Sequence, residues 1–145
     1  MEDIQTINDV KKCVLIIDNT QPVGIIANTA SVLSITLGRN INSIVGKHIY
    51  DKRGGEHLGI TQMPIPILGT SSEKIKEIRQ QLVSLDLENL MIVGFTNIAQ
   101  KSKTYDHYEA TMLTTDENDI CYIGIAIYGD KKVINKATGN LSLIR

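Results

Sequence analysis

The sequence has few aromatic residues and no excess of positive charge. Of its 145 residues, 4% are aromatic, with no tryptophan and a single phenylalanine, Phe95. Base-stacking platforms and aromatic cages need several rings, so neither is expected. Lysine and arginine total 15 against 16 aspartates and glutamates, which gives a net charge of −1. Because nucleic-acid binding draws on a basic surplus, nucleic acid is not expected as a partner, although this total is compatible with a local basic patch.

Long apolar runs and a targeting signal are also missing. The first residues, Met1-Glu2-Asp3-Ile4, are acidic and lack the basic and apolar regions of a signal peptide. No apolar run approaches the roughly 20 residues that a membrane-spanning helix needs. A cytoplasmic location without a membrane partner is therefore expected.

Two cysteines offer little material for a redox or metal site. Cys13 and Cys121 each lie among apolar residues in strand-like runs, which predicts two buried, reduced thiols. No metal-ligand spacing connects either cysteine to the three histidines, His48, His57 and His107. We expect neither a metal site nor a cofactor, since the Gly54-Gly55 pair fits neither a P-loop nor a dinucleotide fingerprint.

Strand and helix patterns alternate along the chain after a polar lead-in at residues 1–11. The length predicts a single domain, 1–145. Continuous apolar runs predict buried strands, and 3.6-residue periodicity with capping residues predicts helices. The strands are expected at 13–17, 90–95 and 119–128, and the helices at 24–37, 70–85, 97–113 and 131–138, with Gly139 after the last. Such alternation is typical of an α/β chain with a parallel or mixed sheet covered on both faces.

Three segments carry additional signals. The first helix is apolar nearly all round, so it needs cover on more than one side, and a second subunit is one candidate cover. Residues 48–51 and 58–61 flank a Gly-Gly turn and predict a hairpin. The segment 63–68 contains two prolines, which predicts an edge strand or an extended connector.

Both ends of the chain resemble a known fold family. Lys12 to Asp18 with Gly24-Ile25-Ile26-Ala27 resembles the opening of type-II peptidyl-tRNA hydrolase, and the segment 133–143 resembles its last helix and strand. A fuller similarity, over nearly the whole chain, is to an uncharacterised bacterial relative, the domain-of-unknown-function 2000 family. The stretches that carry this similarity are 18–28, 57–68, 99–108 and 124–141. The resemblance implies a peptidyl-tRNA hydrolase II-like fold, a mixed and mostly parallel sheet of about four main strands with helices on both faces, and a homodimer.

The first helix departs from the hydrolase pattern. After its glycine the hydrolase has a lysine, then a glutamine and a histidine. Aligned at Gly24, this chain carries Ile25, Thr29 and Val32 at those positions. Ile25 cannot hold a phosphate or polarise an ester carbonyl, which argues against hydrolysis by that mechanism.

Five polar residues within the family-like stretches are candidates for a ligand site. Asp18 follows the first strand, where α/β sheets bind ligands, and is either a base or acceptor or the anchor of its own loop through an Asx-turn. Asn28 bonds either loop backbone or a ligand. His57 is either an acid-base group or a hairpin residue. The remaining two, Gln100 and Tyr105, lie on the third helix and either donate to a substrate or form a solvated face.

Three functions compete on this evidence. The first is a homodimeric protein that binds, and in one version acts on, a small molecule or peptide at the carboxyl ends of the strands. The second is a hydrolase of peptidyl-tRNA or a related acyl ester. The third is a non-catalytic interaction protein, suggested by the apolar first helix. Whether the protein is an enzyme stays open from sequence alone.

Overall fold

The computed structural model describes residues 10–145 and contains seven strands and five α-helices in that range. Residues 1–9 of the predicted polar lead-in therefore lie outside the described residues. The strands are β1 (Lys11–Asp18), β2 (Ile49–Tyr50), β3 (Glu56–His57), β4 (Ile67–Thr70), β5 (Met91–Thr96), β6 (Tyr122–Asp130) and β7 (Ser142–Leu143). The helices are α1 (Val23–Asn40), α2 (Ser72–Ser84), α3 (Asn97–Lys101), α4 (Tyr105–Leu113) and α5 (Lys131–Thr138), and a 3-10 turn spans Glu117–Asp119.

Five strands form one mixed sheet in the order β5-β6-β1-β4-β7. Only β1 and β4 pair in parallel, whereas the β1–β6, β5–β6 and β4–β7 pairs are antiparallel. The expectation of about four strands in a mostly parallel sheet is therefore wrong in both respects. An apolar run indicates that a strand is covered on both faces, but it does not indicate the direction of the strand or the order of its neighbours in the sheet.

Because β5 and β1 are both antiparallel to β6, they run in the same direction, and β4 runs with them. The carboxyl ends of these three strands consequently meet at one edge of the sheet. Helices α1, α2 and α3 all begin at or just beyond this edge, since each follows one of the three strands within a few residues. Polar side chains at the strand ends are thereby gathered in one region.

The sheet is covered by helices on both faces, as predicted. Alternate residues of β1 point to opposite sides, and Val14 and Ile16 pack with the buried residues of α2 and α5. Cys13, Leu15 and Ile17 pack with Leu33 and Leu37 of α1 on the other side. All of the apolar residues of β1 are at most 1% exposed, which confirms a central, fully covered strand.

The helix ends differ in detail from the sequence prediction. Helix α1 continues through Gly38 to Asn40 because the buried Ile41 donates its N–H to the Leu37 carbonyl and extends the hydrogen-bonded turn. The single helix predicted at 97–113 is two helices. It stops at Ser102 and restarts where the Thr104 hydroxyl accepts from the His107 N–H and caps α4.

Capping residues account for the other helix starts. Ser71 accepts from the Lys74 N–H and caps α2. Thr96 caps α3 by accepting from the Ala99 N–H. Asp130 caps α5, with its carboxylate accepting from two backbone N–H groups.

A hairpin is present, and Gly54 supplies the positive φ of 82° at its turn. Its first strand is shorter than predicted, and its second strand lies at Glu56–His57, before the predicted 58–61. The extended segment 63–68 leads into β4. That strand is internal rather than at the edge, because the tail strand β7 pairs with its outer side. The cysteine prediction is half wrong. Cys13 is fully buried, whereas Cys121 lies just before β6 and is exposed.

Candidate functional site

Asp18 ends β1 at the shared carboxyl edge and is only 5% exposed. Its Oδ1 accepts from the Thr20 N–H at 3.0 Å and from the Thr20 hydroxyl at 2.7 Å. Its Oδ2 accepts from the Gln21 amide at 3.1 Å. This is the Asx-turn that the sequence offered as the structural alternative, and it holds the loop before α1 in place.

Other polar side chains at this edge also join strand ends to each other. Ser72 donates its hydroxyl to the Tyr122 carbonyl at 2.8 Å. Asn97 accepts from the Cys121 N–H at 3.0 Å through its side-chain oxygen. These contacts join the end of β5, the start of β6 and the start of α2, and they occupy polar groups that would otherwise face a ligand.

An open groove of about 460 Å³ lies beside the outer edge of β5, and we call it the β5 groove. Its walls come from α1, β5, α3, α4 and the connector between the last two helices. The lining residues are Val32, Thr36, Val93, Gly94, Phe95, Ala99, Ser102, Lys103, Thr104, Tyr105 and Tyr108. The volume is in the range of pockets that bind small ligands or short peptide segments.

The two tyrosines of α4 form the aromatic wall of the β5 groove. Their rings are 5.5 Å apart between centroids and inclined by 76°, an edge-to-face pair. Tyr105 is 78% exposed, whereas Tyr108 is half-buried against the core. The same two rings line a second depression of about 500 Å³ further along α4. The tyrosine pair thus offers apolar area and two phenol groups to a molecule in the groove.

The backbone of β5 contributes the most distinctive chemistry of the groove. Among the strands of the described residues, β5 lies at the edge of the sheet and has β6 as its one neighbour. Within residues 10–145, no backbone hydrogen bond joins residues 91–95 to any element other than β6. In an antiparallel pair, alternate residues direct their N–H and C=O groups away from the partner strand. A row of β5 donors and acceptors that have no backbone partner within residues 10–145 therefore lies along the groove.

The five predicted site residues do not all line one cavity. Tyr105 lines the β5 groove. Asn28 is exposed and lies one helical turn before the lining residue Val32, and Gln100 is exposed and directly follows the lining residue Ala99. Asp18 is engaged in its own loop, and His57 lies on the hairpin.

Sequence reasoning missed most of the groove itself. Thr36, Val93 and Lys103 carry no pattern that distinguishes them from ordinary surface or core residues. The available signal was the uncharged, apolar run 90–95, whose edge position depends on which strand pairs with it. That pairing is not visible in the sequence.

His57 lies on a separate, exposed part of the molecule. Its Nε2 is 2.8 Å from Oδ2 of Asp51, and the two side chains are 59% and 46% exposed. The hydrogen bond from His57, followed by those from the Gly55 and Arg53 N–H groups, holds the pKa of Asp51 below its ordinary value. A depression of about 770 Å³ runs along this hairpin, but its walls are residues 46–62 of one exposed ribbon.

The helix positions at which a hydrolase would carry its polar groups hold no cation or acid-base group. Ile25 is half-buried. Thr29 is fully buried, and its hydroxyl donates to the Ile25 carbonyl at 2.7 Å. Val32 lies at the wall of the β5 groove.

Within residues 10–145, no group of three or more His, Cys, Asp or Glu side chains is placed to hold a metal ion. No helix in this range is long and apolar enough to cross a bilayer.

Comparison with known proteins gives a family and a fold. The family model described as "Protein of unknown function (DUF2000)" matches residues 11–145. A solved structure of the protein of unknown function Atu0240 from Agrobacterium tumefaciens strain C58 superposes with a TM-score of 0.83 at 17% identity. The match covers 93% of this chain and 98% of that one. No curated protein matches the chain significantly.

Proposed function

The chain belongs to the DUF2000 family, described only as proteins of unknown function, and we propose that it binds an extended peptide segment that adds a strand to the free edge of β5. The observation that carries this proposal is that Val93, Gly94 and Phe95 line the β5 groove and belong to a strand whose outer edge pairs with no other strand of residues 10–145. A peptide backbone is the ligand whose donors and acceptors match such an edge.

The side chains of the groove supply places for the peptide's side chains. In an added strand, alternate residues point to opposite sides. On one side Val32 of α1 and Phe95 present apolar surface, and on the other Tyr105 and Tyr108 present rings with hydroxyl groups. Lys103 provides the only charged group among the lining residues, so a neutral or acidic peptide is favoured over a basic one.

Amide chemical shifts of the isotope-labelled protein test this proposal. The probe is the capped hexapeptide Ac-Thr-Val-Thr-Val-Thr-Val-NH₂, which favours extended backbone. Its matched control has the same sequence with every amide N-methylated, so that neither edge of the peptide can donate. We expect the signals of Val93, Gly94 and Phe95 to shift with the first peptide and not with the second.

A pair of tyrosine variants locates the binding. Tyr105→Ala removes an exposed ring from the groove, and we expect it to weaken the peptide several-fold. Tyr50→Ala removes an exposed ring from the hairpin, 64% accessible, and should leave binding unchanged. Equal shifts with both peptides, or no shift of the β5 amides with either, would overturn the proposal.

We also infer that a second copy of the chain covers the exposed stripe of α1. The centre of this stripe is Ile35, which is 74% exposed and does not line the β5 groove. Light scattering after size-exclusion chromatography should give a dimer for the wild type and a monomer for Ile35→Glu. Val83→Glu, at a 52% exposed position on α2, is the control that should remain dimeric. A monomeric wild type at about 100 μM would rule the dimer out.

Hydrolysis of peptidyl-tRNA or a related ester is not part of this proposal. Ile25, Thr29 and Val32 offer no cation to an oxyanion or phosphate and no group that takes up a proton. Peptide binding needs none of these groups, because its main contacts are made by backbone atoms of β5.

A further inference from the structure

Another cleft, of about 430 Å³, lies where β1 begins and β6 ends. This is the end of the sheet opposite the carboxyl ends of β1, β4 and β5. We call it the lysine cleft. It is lined by Lys11, Lys12, Cys13, Met63, Pro64, Pro66 and Lys131. Three of these seven residues are lysines and none is acidic. This distribution is unusual for a chain whose basic and acidic residues nearly balance.

No ion pair neutralises the lysines of the cleft among the residues that the structure describes. Within residues 10–145 the ion pairs within 4 Å are His57–Asp51 and Lys74–Glu77, so none of the three cleft lysines takes part in one. Lys12 donates to the side-chain oxygen of Asn135 at 2.7 Å, a neutral partner that leaves its charge in place.

The described acid closest in sequence to Lys131 is Asp130, which keeps its negative charge while it caps α5 and forms no ion pair within 4 Å with a cleft lysine. Asp130 precedes Lys131 and lies opposite Lys11 in the strand register. Its Oδ1 accepts from the N–H groups of Lys132 and Val133 at the start of α5. Consecutive strand residues point to opposite faces, so Lys12, bonded to Asn135 of α5, is directed away from the side of β1 that carries Lys11 and Cys13. The charges available to an anion in the cleft are therefore mainly those of Lys11 and Lys131.

The remaining walls of the cleft are apolar. Met63 is 3% exposed, Pro64 and Pro66 form one side, and the fully buried Cys13 closes the floor. Burial raises the pKa of the Cys13 thiol to about 12, so the floor is neutral at physiological pH and does not compete for the lysines. A ligand that fits has an anionic group for the ammonium ions and a short apolar part for the prolines and methionine.

We propose that the lysine cleft is a binding site for a small organic anion, a carboxylate or phosphate monoester that carries an apolar group. The site is separate from the β5 groove and shares no lining residue with it. The anion-binding proposal therefore stands or falls independently of peptide binding in the β5 groove.

Methyl NMR with ¹³C-labelled methionine gives a direct readout. Met63 reports on the cleft, and Met112 on α4 is the distant reference. Four probes separate the contributions: hexyl phosphate, hexanoate, inorganic phosphate and hexanol. We expect the Met63 methyl to shift with hexyl phosphate or hexanoate at lower concentrations than with inorganic phosphate, and hexanol to bind most weakly. Raising sodium chloride from 50 to 250 mM should weaken the charged probes.

Charge variants assign the site. Lys11→Gln and Lys131→Gln should each weaken the better anion by about threefold or more. The matched control, Lys101→Gln on α3, removes a charge from an exposed position outside the cleft and should change nothing. Thermal melts of all three variants verify that they fold. The Glu2→Gln, Asp3→Asn, Asp9→Asn variant removes the carboxylates that precede Lys11 in sequence and could compete for its charge.

The proposal is overturned by three results. One is the absence of a Met63 shift with every anion, in both the wild type and the variant without the preceding carboxylates. Another is anion binding that Lys11→Gln and Lys131→Gln leave unchanged. The third is binding by hexanol as strong as that by hexanoate, which would make the cleft a plain apolar pocket.

Discussion

The replacement Asp18→Ala tests whether the Asp18 carboxylate is a structural anchor of the loop before α1. Three donors converge on this side chain, two from Thr20 and one from Gln21. A hydrogen bond to a charged group contributes about 1.5–3 kcal/mol, but hydration of the part-buried donors recovers much of this in the variant. We therefore expect the free energy of unfolding to fall by about 2 kcal/mol, which corresponds to a melting temperature lower by about 6 °C for a chain of this length.

Asp18→Asn provides a graded comparison. Its side-chain oxygen can still accept both bonds from Thr20, and the Gln21 amide can rotate so that its oxygen accepts instead of its nitrogen donating. We expect about half of the loss seen for alanine. The exposed Asp106, in the first turn of α4, is the control, and its replacement by alanine should change stability by less than about 0.5 kcal/mol.

Urea unfolding followed by circular dichroism measures these differences. The midpoints should fall in the order wild type, Asp18→Asn, Asp18→Ala, with an unchanged slope, since the folded and unfolded surfaces are the same. If Asp18→Ala unfolds at the wild-type midpoint, the hydrogen bonds do not stabilise the loop. In that case the carboxylate would be available to a ligand, and the interpretation of Asp18 as a ligand-binding residue would be favoured over that of a loop anchor.

Three further predictions follow from single contacts. Cys121 is exposed and Cys13 is buried with a pKa of about 12, so Ellman's reagent at pH 8 should titrate one thiol per folded chain and two in urea; two fast thiols in buffer would contradict the burial. Gly124→Ala places a Cβ 2.7 Å from a buried methyl group of α1 and should destabilise the protein by about 1–3 kcal/mol, whereas an unchanged melting temperature would mean that the helix shifts freely. The pKa of Asp51 is lowered by His57, so this contact stabilises the folded hairpin above the ordinary pKa of aspartate, and the stabilisation is lost as the pH falls through the lower folded value. The amide shifts of the hairpin turn should therefore titrate below about pH 4, and a midpoint above that value would refute the contact.

Local features of the fold could be predicted because they depend on neighbouring residues. The apolar run 13–17 forms a buried strand wherever it lies in the sheet, and Asp130 caps α5 because it directly precedes the helix. The hairpin turn follows from Gly54, whose φ of 82° favours glycine. These elements need only a hydrophobic period, a hydrogen-bonding side chain or a permissive backbone.

The sheet order and the groove could not be predicted in the same way. Strand β6 pairs with both β1 and β5, and this reverses the direction expected for two of the four neighbouring pairs. The free edge of β5 is a consequence of that order. Val93, Gly94 and the backbone edge of β5 line the groove, and none of these residue types indicates a binding site in the sequence. Asp18, the polar residue that the sequence did suggest, hydrogen-bonds within its own loop.

The net charge is a second case in which the sequence alone does not show how residues are distributed in space, whereas the structure does. A total of −1 counts every ionised side chain equally, so it argues against a protein-wide attraction to polyanions such as nucleic acids. It says nothing about a cleft of about 430 Å³ that is lined by three lysines, none of which lies within 4 Å of a carboxylate of residues 10–145. A polyanion needs a basic surface many residues long, but a small anion needs only a few cations and an apolar wall. The near-zero total and the lysine cleft are therefore compatible, and together they favour a small anionic ligand over a nucleic acid.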